Sequence, residues 1–331
     1  MSQLIGSWRI SIGLRTSDFG FRSPLPGIRH EPILFEPQAG ASYPPPMDPK
    51  PTMTRRTRVL RWQAGAAPAR RDDELAAEEP LEIRVDTRPV VVTMRTPGHD
   101  VELAAGFLVT EGLIRSRPEL ARVTPHPRNR TGNVLELFLA PGVSVDFARL
   151  TRHVYASSSC GLCGKASIDA VHQQFPKSRS DVKFRVATLV RLPEELRRQQ
   201  DTFDRTGGLH AAAVFDAAGR LVVLREDVGR HNAVDKVIGH GFLEGLLPFD
   251  RHALVVSGRA SFEILQKALA AGIPVVAAVS APSSLAVEFA RRSGQTLLGF
   301  VRGDRMNVYT HAGRVRFGGR APAKASGRNL R

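Results

Sequence analysis

Residues 253–302 read ALVVSGRASFEILQKALAAGIPVVAAVSAPSSLAVEFARRSGQTLLGFVR. Three apolar runs in this stretch, 253–257, 273–280 and 296–302, have the length of buried strands. The two segments between them, 260–272 and 283–294, carry apolar side chains at helical spacing, and Gly272 ends the first. Strands that alternate with helices predict an α/β fold, with helices covering both faces of one sheet.

The same alternation extends to both sides of this stretch. The turn DAAG (216–219) joins two runs that are predicted to form a hairpin, and a polar helix start follows it. The further predicted elements are strands over 81–86, 90–95, 133–140, 211–216, 220–227 and 306–311, and helices over 101–114, capped by Asp100, 165–175 and 229–242.

The composition divides the chain into four parts. Residues 1–58 hold nine of the 23 prolines and are predicted to be a flexible extension rich in proline and arginine. The folded body starts near residue 59 with an N-terminal α+β part, 59–156. A cysteine loop and the α/β core follow over 157–311. Residues 312–331 are predicted to be a basic flexible tail.

The net charge of +15 lies largely outside the body. Residues 1–58 carry a net +4, residues 312–331 carry +6, and residues 59–311 carry only +5. This distribution is not typical of a basic nucleic-acid-binding domain, and no nucleic-acid partner is expected. No apolar run approaches 18 residues, and the first residues lack the apolar core of a signal peptide, so a cytoplasmic protein without a membrane segment is expected.

The two cysteines of the chain, Cys160 and Cys163, lie in the sequence SSSCGLCG. Glycines on both sides let the two thiols approach each other and stay accessible, and the N-terminus of the following predicted helix lowers the pKa of a nearby thiol. Such a loop suits a dithiol redox cycle, a persulfide carrier or half of a zinc site. The chain has no second cysteine pair to complete a structural zinc site, so no metal is expected. A mixed zinc site with His210 or His231 is the alternative that the residues leave open.

A second motif, TGGLHAA (206–212), contains His210. Zinc deaminases carry a glutamate two residues after the metal-binding histidine, followed later by P-C-x-x-C. Here Ala212 takes the place of that glutamate, and Ser159 precedes the first cysteine. Deamination is therefore not expected, and His210 alone is compatible with a structural histidine at the start of a strand.

Three junctions between predicted elements offer anion-binding groups. The run REDVGRHN (225–232) is compatible with a helix start that is capped by Asp227 and whose charges are solvated. In the alternative interpretation, Arg230 and His231 face an anion at this strand-to-helix junction. The junctions SGRAS (257–261) and SAPSS (280–284) each place hydroxyls and free amides at a helix N-terminus, which suits a phosphate.

The turn between the last two predicted strands is Phe300-Val301-Arg302-Gly303-Asp304-Arg305. Its arginines suit phosphates and its phenylalanine suits a stacked base, although the same sequence is compatible with a solvated hairpin turn.

The motifs SSCGLCGKASI, TGGLHAAAVFD, REDVGRHNAVDKVIG, VVSGRASFEILQKA, SAPSSLAVEFA and GFVRGDRMNVYTH, taken in order over 59–311, resemble the formate dehydrogenase accessory sulfurtransferase family. The resemblance implies a cytidine-deaminase-like α/β/α layered core with a mixed sheet, plus the smaller N-terminal α+β part. It further implies a sulfurtransferase with a cysteine persulfide intermediate. Residues 1–58 lie outside the resemblance.

The resemblance also implies partners and residue roles. A cysteine desulfurase supplies the sulfur, and Cys160 carries it as a persulfide. The acceptor is the molybdenum (or tungsten) bis-pterin guanine dinucleotide cofactor of formate dehydrogenase, which contacts Phe300, Val301, Arg302, Gly303, Asp304 and Arg305. A homodimer is implied. Cys163 either attacks the persulfide and expels sulfide, or itself relays sulfur, and the sequence leaves both open.

Two other functions compete with the sulfur carrier. The chain is also compatible with a module that only escorts the cofactor, in which case Cys160 would be dispensable. A zinc-stabilised nucleic-acid adaptor is the third possibility, and metal analysis with salt-dependent DNA binding would detect it.

Overall fold

The computed structural model of the protein describes residues 52–126, 129, 132–145, 147 and 175–318. Most of the predicted extension, the tail from residue 319 and the cysteine loop fall outside these ranges, and so does the helix predicted over 165–175, except for Phe175. No helix among the described residues is long and apolar enough to cross a membrane.

The chain's first described element is a two-stranded hairpin that the sequence did not predict. Strands β1 (Thr54–Arg61) and β2 (Ala69–Ala76) pair antiparallel. Oppositely charged side chains face each other across the hairpin, as Arg58 and Asp72 do at 3.6 Å. The strands escaped prediction because most of their residues are charged and exposed, so neither shows the alternation of a half-buried strand. β1 begins five residues before the expected start of the body.

A four-stranded sheet follows, in the spatial order β4-β3-β6-β5. β3 and β4 form the predicted antiparallel pair, and the strand predicted over 133–140 is also confirmed as β6. Leu81, Ile83 and Val85 alternate along β3 and are fully buried, so one face of the sheet packs on the core. The elements of this part are β3 (Glu79–Val85), β4 (Arg88–Arg95), α1 (Asp100–Thr110), β5 (Leu120–Pro125) and β6 (Val134–Leu139).

Helix α1 differs from its prediction at both ends. His99, with φ of 58°, occupies the N-cap position, and no side chain caps the helix. The prediction that Asp100 caps the helix is wrong. Its carboxylate instead accepts hydrogen bonds from Arg95, at 3.0 Å from Nε and 2.9 Å from Nη2. The helix ends at Thr110 rather than at residue 114, and Gly112 follows with φ of 73°.

The segment before the main sheet contains short elements that were not predicted. Leu189, Leu192 and Leu196 are buried in it, and they pack on the main sheet. The interruption by Pro193 and the run of polar residues after it hide the helical spacing. The elements are β7 (Phe184–Arg185), α2 (Val186–Leu189), α3 (Leu192–Arg198) and α4 (Asp201–Thr206).

The main sheet has six strands in the order β13-β12-β11-β10-β8-β9. β10, β11 and β12 run parallel, whereas β8, β9 and β13 pair antiparallel with their neighbours, so the predicted mixed sheet is confirmed. The elements are β8 (His210–Asp216), β9 (Leu221–Asp227), α5 (Arg230–Leu243), β10 (His252–Val256), α6 (Phe262–Ala270), β11 (Val275–Ala278), α7 (Ser284–Ser293), β12 (Thr296–Arg302), β13 (Arg305–Thr310) and β14 (Val315–Arg316), which pairs with β7.

Both faces of the main sheet are covered, as the sequence predicted. Alternate residues of β10 separate the two cores: Leu254 and Val256 pack with α5, α6 and α7, whereas Ala253 and Val255 pack with α2 and α3. The first core also includes α1 and the buried face of the four-stranded sheet. The protein is therefore a mixed α/β fold in which the N-terminal part shares a core with the main sheet.

Two glycines let helices α1 and α5 cross in close contact. A Cβ on Gly106 would lie 1.8 Å from the carbonyl oxygen of Asp235, and one on Gly239 would lie 1.8 Å from that of Glu102. No larger residue fits either position without separating the helices. The crossing joins the N-terminal part to the helix that follows β9.

Candidate functional site

The chemistry-bearing motifs meet at one end of the six-stranded sheet. β8 begins at His210, which lies opposite Asp227 at the end of β9. β10 and β11 run parallel and end beside them, just before Ser257 and Val279. Arg302 at the end of β12 lies opposite Arg305 at the start of β13. We call this end, formed by 209–210, 227–231, 257–261, 279–284 and 300–305, the motif end of the sheet.

His210 is held at the motif end by backbone contacts of its neighbours. The N–H of Ala211 donates to Ser257 Oγ at 2.9 Å, and the N–H of Ser257 donates to the Ala211 carbonyl at 3.0 Å. A Cβ on Gly258 would lie 3.4 Å from His210 Nδ1, which is ordinary contact, so Gly258 lies directly beside the ring. Burial, and then the positive charges of Arg230 and His231, lower the pKa of His210, which favours a neutral imidazole.

The turn over residues 300–305 is fastened to the strand beside it. The N–H of Phe300 donates to the Ser280 carbonyl at 3.1 Å, and Arg302 Nε donates to the Val279 carbonyl at 2.9 Å. Phe300 lies in an irregularity of the β12–β13 pairing and has φ of 52°, which is uncommon for an aromatic residue. Its side chain is 38% exposed. Strain of this kind concentrates at functional positions.

A cavity of about 860 Å³ opens at the motif end. Val301, Arg302 and Gly303 of the predicted turn line it, whereas Phe300, Asp304 and Arg305 do not. His210 and Ser257 also line it. We call it the His210 cavity. Its volume lies within the range of small-molecule sites.

Three residues that the sequence did not single out, Arg197, Gln200 and Phe203, also line the His210 cavity. The guanidinium of Arg197 lies 4.7 Å from the centre of the Phe203 ring. Gln200 is 2% exposed, and its Nε2 has no hydrogen-bond partner among the described residues. A buried amide donor without a partner is costly, which is a reason to look for an acceptor on a ligand. No local pattern in the sequence related these residues to His210.

The charged run Arg225-Glu226-Asp227 holds the site together. Glu102 of α1 is bound by Arg225, at 2.5 Å from Nε and 2.6 Å from Nη2. Glu226 is buried and accepts hydrogen bonds from the backbone of Thr202 and Phe203, which fixes the start of α4. These residues were expected to be solvated charges, so that expectation is wrong.

Asp227 is part of a buried ion pair. Neither its side chain nor that of Lys236 is exposed, and Lys236 Nζ lies 2.7 Å from Asp227 Oδ2. The N–H of Thr96 donates to the same oxygen at 3.1 Å, and the N–H of Gly229 donates to Oδ1 at 2.8 Å. Gly229 itself occupies the N-cap position of α5, so the predicted cap is wrong. The carboxylate instead ties α5 to the segment before α1.

Arg230 and His231 lie at the start of α5. His231 Nε2 is 2.8 Å from Glu263 Oε2 and 3.3 Å from Ser261 Oγ, so the ring is bound to the start of α6. Arg230 Nε is buried without a hydrogen-bond partner among the described residues. Their role in holding an anion stays a prediction.

The serine junctions differ in detail. Ser283 caps α7 by accepting a hydrogen bond from the N–H of Ala286 at 3.2 Å. Ser261 occupies the cap position of α6 without a capping hydrogen bond, and its hydroxyl contacts His231 and Glu263. A bridge between Ala260 and Pro282 joins the two junctions. The N–H of Ser283 donates to the Ala260 carbonyl at 3.0 Å, so the two junctions lie side by side at the motif end.

Cys160 and Cys163, which the resemblance implies as the sulfur site, lie outside the described residues. Within the ranges that the structure does describe, no three metal-ligating side chains of histidine, aspartate or glutamate come together.

Comparison with known proteins identifies relatives over most of the chain. The model of the FdhD/NarQ family matches residues 76–316. A protein of Streptomyces avermitilis named sulfur carrier protein FdhD is 53% identical over 271 residues, which cover 80% of this chain and 96% of the relative. A protein of Mycobacterium bovis with the same name is 54% identical over 255 residues, covering 74% and 92%.

A solved structure shares the fold. It is a protein of Desulfotalea psychrophila whose name proposes it as a formate dehydrogenase accessory protein. The two structures superpose with a TM-score of 0.64 at 25% sequence identity, and the match covers 80% of this chain and all of the other.

Proposed function

This chain belongs to the FdhD/NarQ family, and on that premise we propose that it is a sulfur carrier that serves the maturation of formate dehydrogenase. One observation supports this most strongly. The family match spans residues 76–316 and so includes both cysteines of the chain, and relatives at 53% and 54% identity are named sulfur carriers. The thiol is the chemical group that such a role requires.

The proposed loading step is a thiol exchange at Cys160. A cysteine desulfurase presents a persulfide, and the Cys160 thiolate attacks its outer sulfur. The S–S bond of the donor breaks, the donor cysteine leaves as a thiolate, and Cys160 becomes a persulfide. No oxidant is consumed, because the sulfane sulfur is passed on at the same oxidation level.

The proposed acceptor is a molybdenum bis-pterin guanine dinucleotide, which is substrate here rather than a resident cofactor. One guanine nucleotide arm suits the His210 cavity. Arg302, fixed by its bond to the Val279 carbonyl, offers a guanidinium to phosphate oxygens, and the Phe203 ring offers a stacking surface. Gln200 supplies the unpaired amide donor and His210 a neutral ring. The proposed contact with the cofactor includes the whole turn Phe300–Arg305.

The layering of the fold bears on this proposal. We propose that the core is related to that of cytidine deaminases, with the sheet end that would hold their zinc now facing the cofactor. Ala212 is fully buried in β8, so the position of the missing glutamate does not face the cavity as an acid or base. We further propose a homodimer that works in the cytoplasm, where thiols stay reduced.

Formate dehydrogenase activity in cells that lack their own carrier tests the proposal. We expect the wild-type chain to restore activity, and Cys160→Ala to abolish it at equal protein level. Arg58→Gln, an exposed change in β1, is the matched control and should restore it fully. If Cys160→Ala restored activity as well as wild type, the chain would be an escort for the cofactor.

A further inference from the structure

A second cavity lies at the end of the six-stranded sheet opposite the motif end. It has a volume of about 770 Å³ and borders the turn Ala218–Gly219 between β8 and β9. Four arginines from separate elements line it: Arg185 of β7, Arg191 before α3, Arg198 at the end of α3 and Arg316 of β14. We call it the arginine cavity. Only Arg198 lines both this cavity and the His210 cavity.

Two of these arginines are forced together by the fold. β7 and β14 pair in parallel, with Phe184 opposite Val315 and Arg185 opposite Arg316. Phe184 and Val315 are buried, so both arginines project from the other, exposed face. Like charges at directly paired positions of neighbouring strands repel each other. The burial of Phe184 and Val315 fixes the register, so the repulsion cannot be relieved by slipping the strands.

No carboxylate neutralises this charge within the described part of the chain. Arg185, Arg191 and Arg316 form no ion pair and no side-chain hydrogen bond with any described residue. The one carboxylate at the cavity, Glu195, is already bound to Arg198 and to Gln199. The sequence from 319 to 331 adds four basic residues and no acidic side chain.

The floor of the arginine cavity is apolar and closely packed. Leu192 is buried beneath it, and Val186 and Ala187 are half-buried. Gly219 has φ of 86°, and a Cβ there would lie 2.7 Å from Thr188 Cγ2. The glycine therefore lets the β8–β9 turn pack against α2 at the edge of the cavity.

We propose that the arginine cavity binds an organic phosphate. The phosphate lies between Arg185 and Arg316, where the planar guanidinium forks match its oxygens, with Arg191 completing the charge. The apolar part of the ligand rests on Val186 and Leu192. This site is distinct from the cavity proposed for the cofactor and does not depend on the sulfur carrier function.

Calorimetry with phenyl phosphate at constant ionic strength tests the site. We expect R185Q/R316Q to bind at least tenfold more weakly than wild type. The control R70Q/R71Q removes the same charge from exposed arginines of β2 and should bind within twofold of wild type. Inorganic phosphate should bind at least threefold more weakly than phenyl phosphate, since it lacks the apolar part.

Thermal unfolding, measured with and without phenyl phosphate, distinguishes loss of the site from failure of a variant to fold. Without ligand, Arg185→Gln should unfold at the same temperature as wild type or higher, because a like-charge contact is removed. With phenyl phosphate, the wild-type midpoint should rise and that of Arg185→Gln should not. If R70Q/R71Q weakened phenyl phosphate binding as much as R185Q/R316Q does, the binding would reflect only the general attraction of a basic protein for an anion. That result would overturn the proposal. Unchanged binding by R185Q/R316Q would also overturn it, as would preference for an acidic peptide over phenyl phosphate.

Discussion

The two ends of the six-stranded sheet are built in opposite ways. At the motif end, the polar groups are held by other parts of the protein: Asp227 by Lys236, and Arg302 by the carbonyl of Val279. At the other end, Arg185 and Arg316 come from distant parts of the chain and have no partner among the described residues. A preorganised end suits the orientation of a large acceptor, whereas unpaired charges suit capture of an anion.

The largest expected effect concerns the buried pair at the motif end. Lys236→Met leaves the Asp227 carboxylate buried without its counter-ion, and we expect the free energy of unfolding to fall by about 3–5 kcal/mol. Denaturant unfolding measures this. Arg58→Gln breaks the exposed pair with Asp72 and should change stability by no more than about 0.5 kcal/mol. A loss below about 1 kcal/mol in Lys236→Met would mean that the motif end is not anchored by this pair.

The next effect separates the two arginines of the turn 300–305. Of these two arginines, Arg302 lines the His210 cavity and Arg305 does not. Arg302→Gln should therefore weaken binding of guanosine diphosphate about tenfold, the equivalent of about 1.4 kcal/mol. Arg305 lies two residues beyond the cavity wall at Gly303, so its proposed contact would be with the part of the larger cofactor outside the cavity, and Arg305→Gln should bind guanosine diphosphate within twofold of wild type. Calorimetry measures both. Equal losses would show that the turn acts through its overall charge rather than through the cavity.

A smaller effect concerns the unpaired amide of Gln200. Gln200→Leu removes a buried donor that has no partner among the described residues, so stability should be unchanged or rise by up to about 1 kcal/mol. Guanosine diphosphate should nevertheless bind several-fold more weakly, because the ligand loses its donor. Thermal unfolding with and without the nucleotide measures both quantities. A clear loss of stability without ligand would indicate instead that the amide has a structural partner.

The smallest effect is the pH dependence from His210. Its pKa is lowered by burial and then by the neighbouring positive charges, so the unfolded chain takes up a proton at a higher pH than the folded chain does. Stability is therefore lost as the pH falls through the ordinary histidine pKa of about 6.5 toward the lower folded value. His210→Gln should lose less stability than wild type between about pH 7 and pH 5. If wild type and His210→Gln lost the same stability over this pH range, the titration of His210 would not contribute to the pH dependence.

The comparison of the two ends also explains what the sequence could predict. Strands β8 to β13 and helices α5 to α7 followed from apolar spacing, because each has a buried face that repeats at the period of its structure. The junctions at the strand ends were predicted as anion-binding positions, and the structure shows that the sheet brings them to one end. The hairpin β1–β2 was missed because its side chains are charged and exposed.

The roles of individual side chains were less predictable. Asp100 and Asp227 have the residue type and sequence position of helix caps. In the structure their carboxylates bind Arg95 and Lys236 instead, and these partners come within reach only when the chain folds. Phe203 and Gln200 precede the turn 300–305 by about a hundred residues, and no local pattern relates them to it. The arginine cavity could not be predicted either, because Arg185 and Arg316 are far apart in sequence and no local pattern relates them.

Intact mass measurement tests the central claim of sulfur transfer most directly. The purified protein is incubated with an active cysteine desulfurase and cysteine, and its mass is recorded with and without a reductant. The account predicts a gain of one sulfur atom that the reductant removes, that Cys160→Ala abolishes and that Arg58→Gln retains. An unchanged mass in the wild-type protein, under conditions in which the desulfurase turns over, would contradict the assignment of this chain as a sulfur carrier.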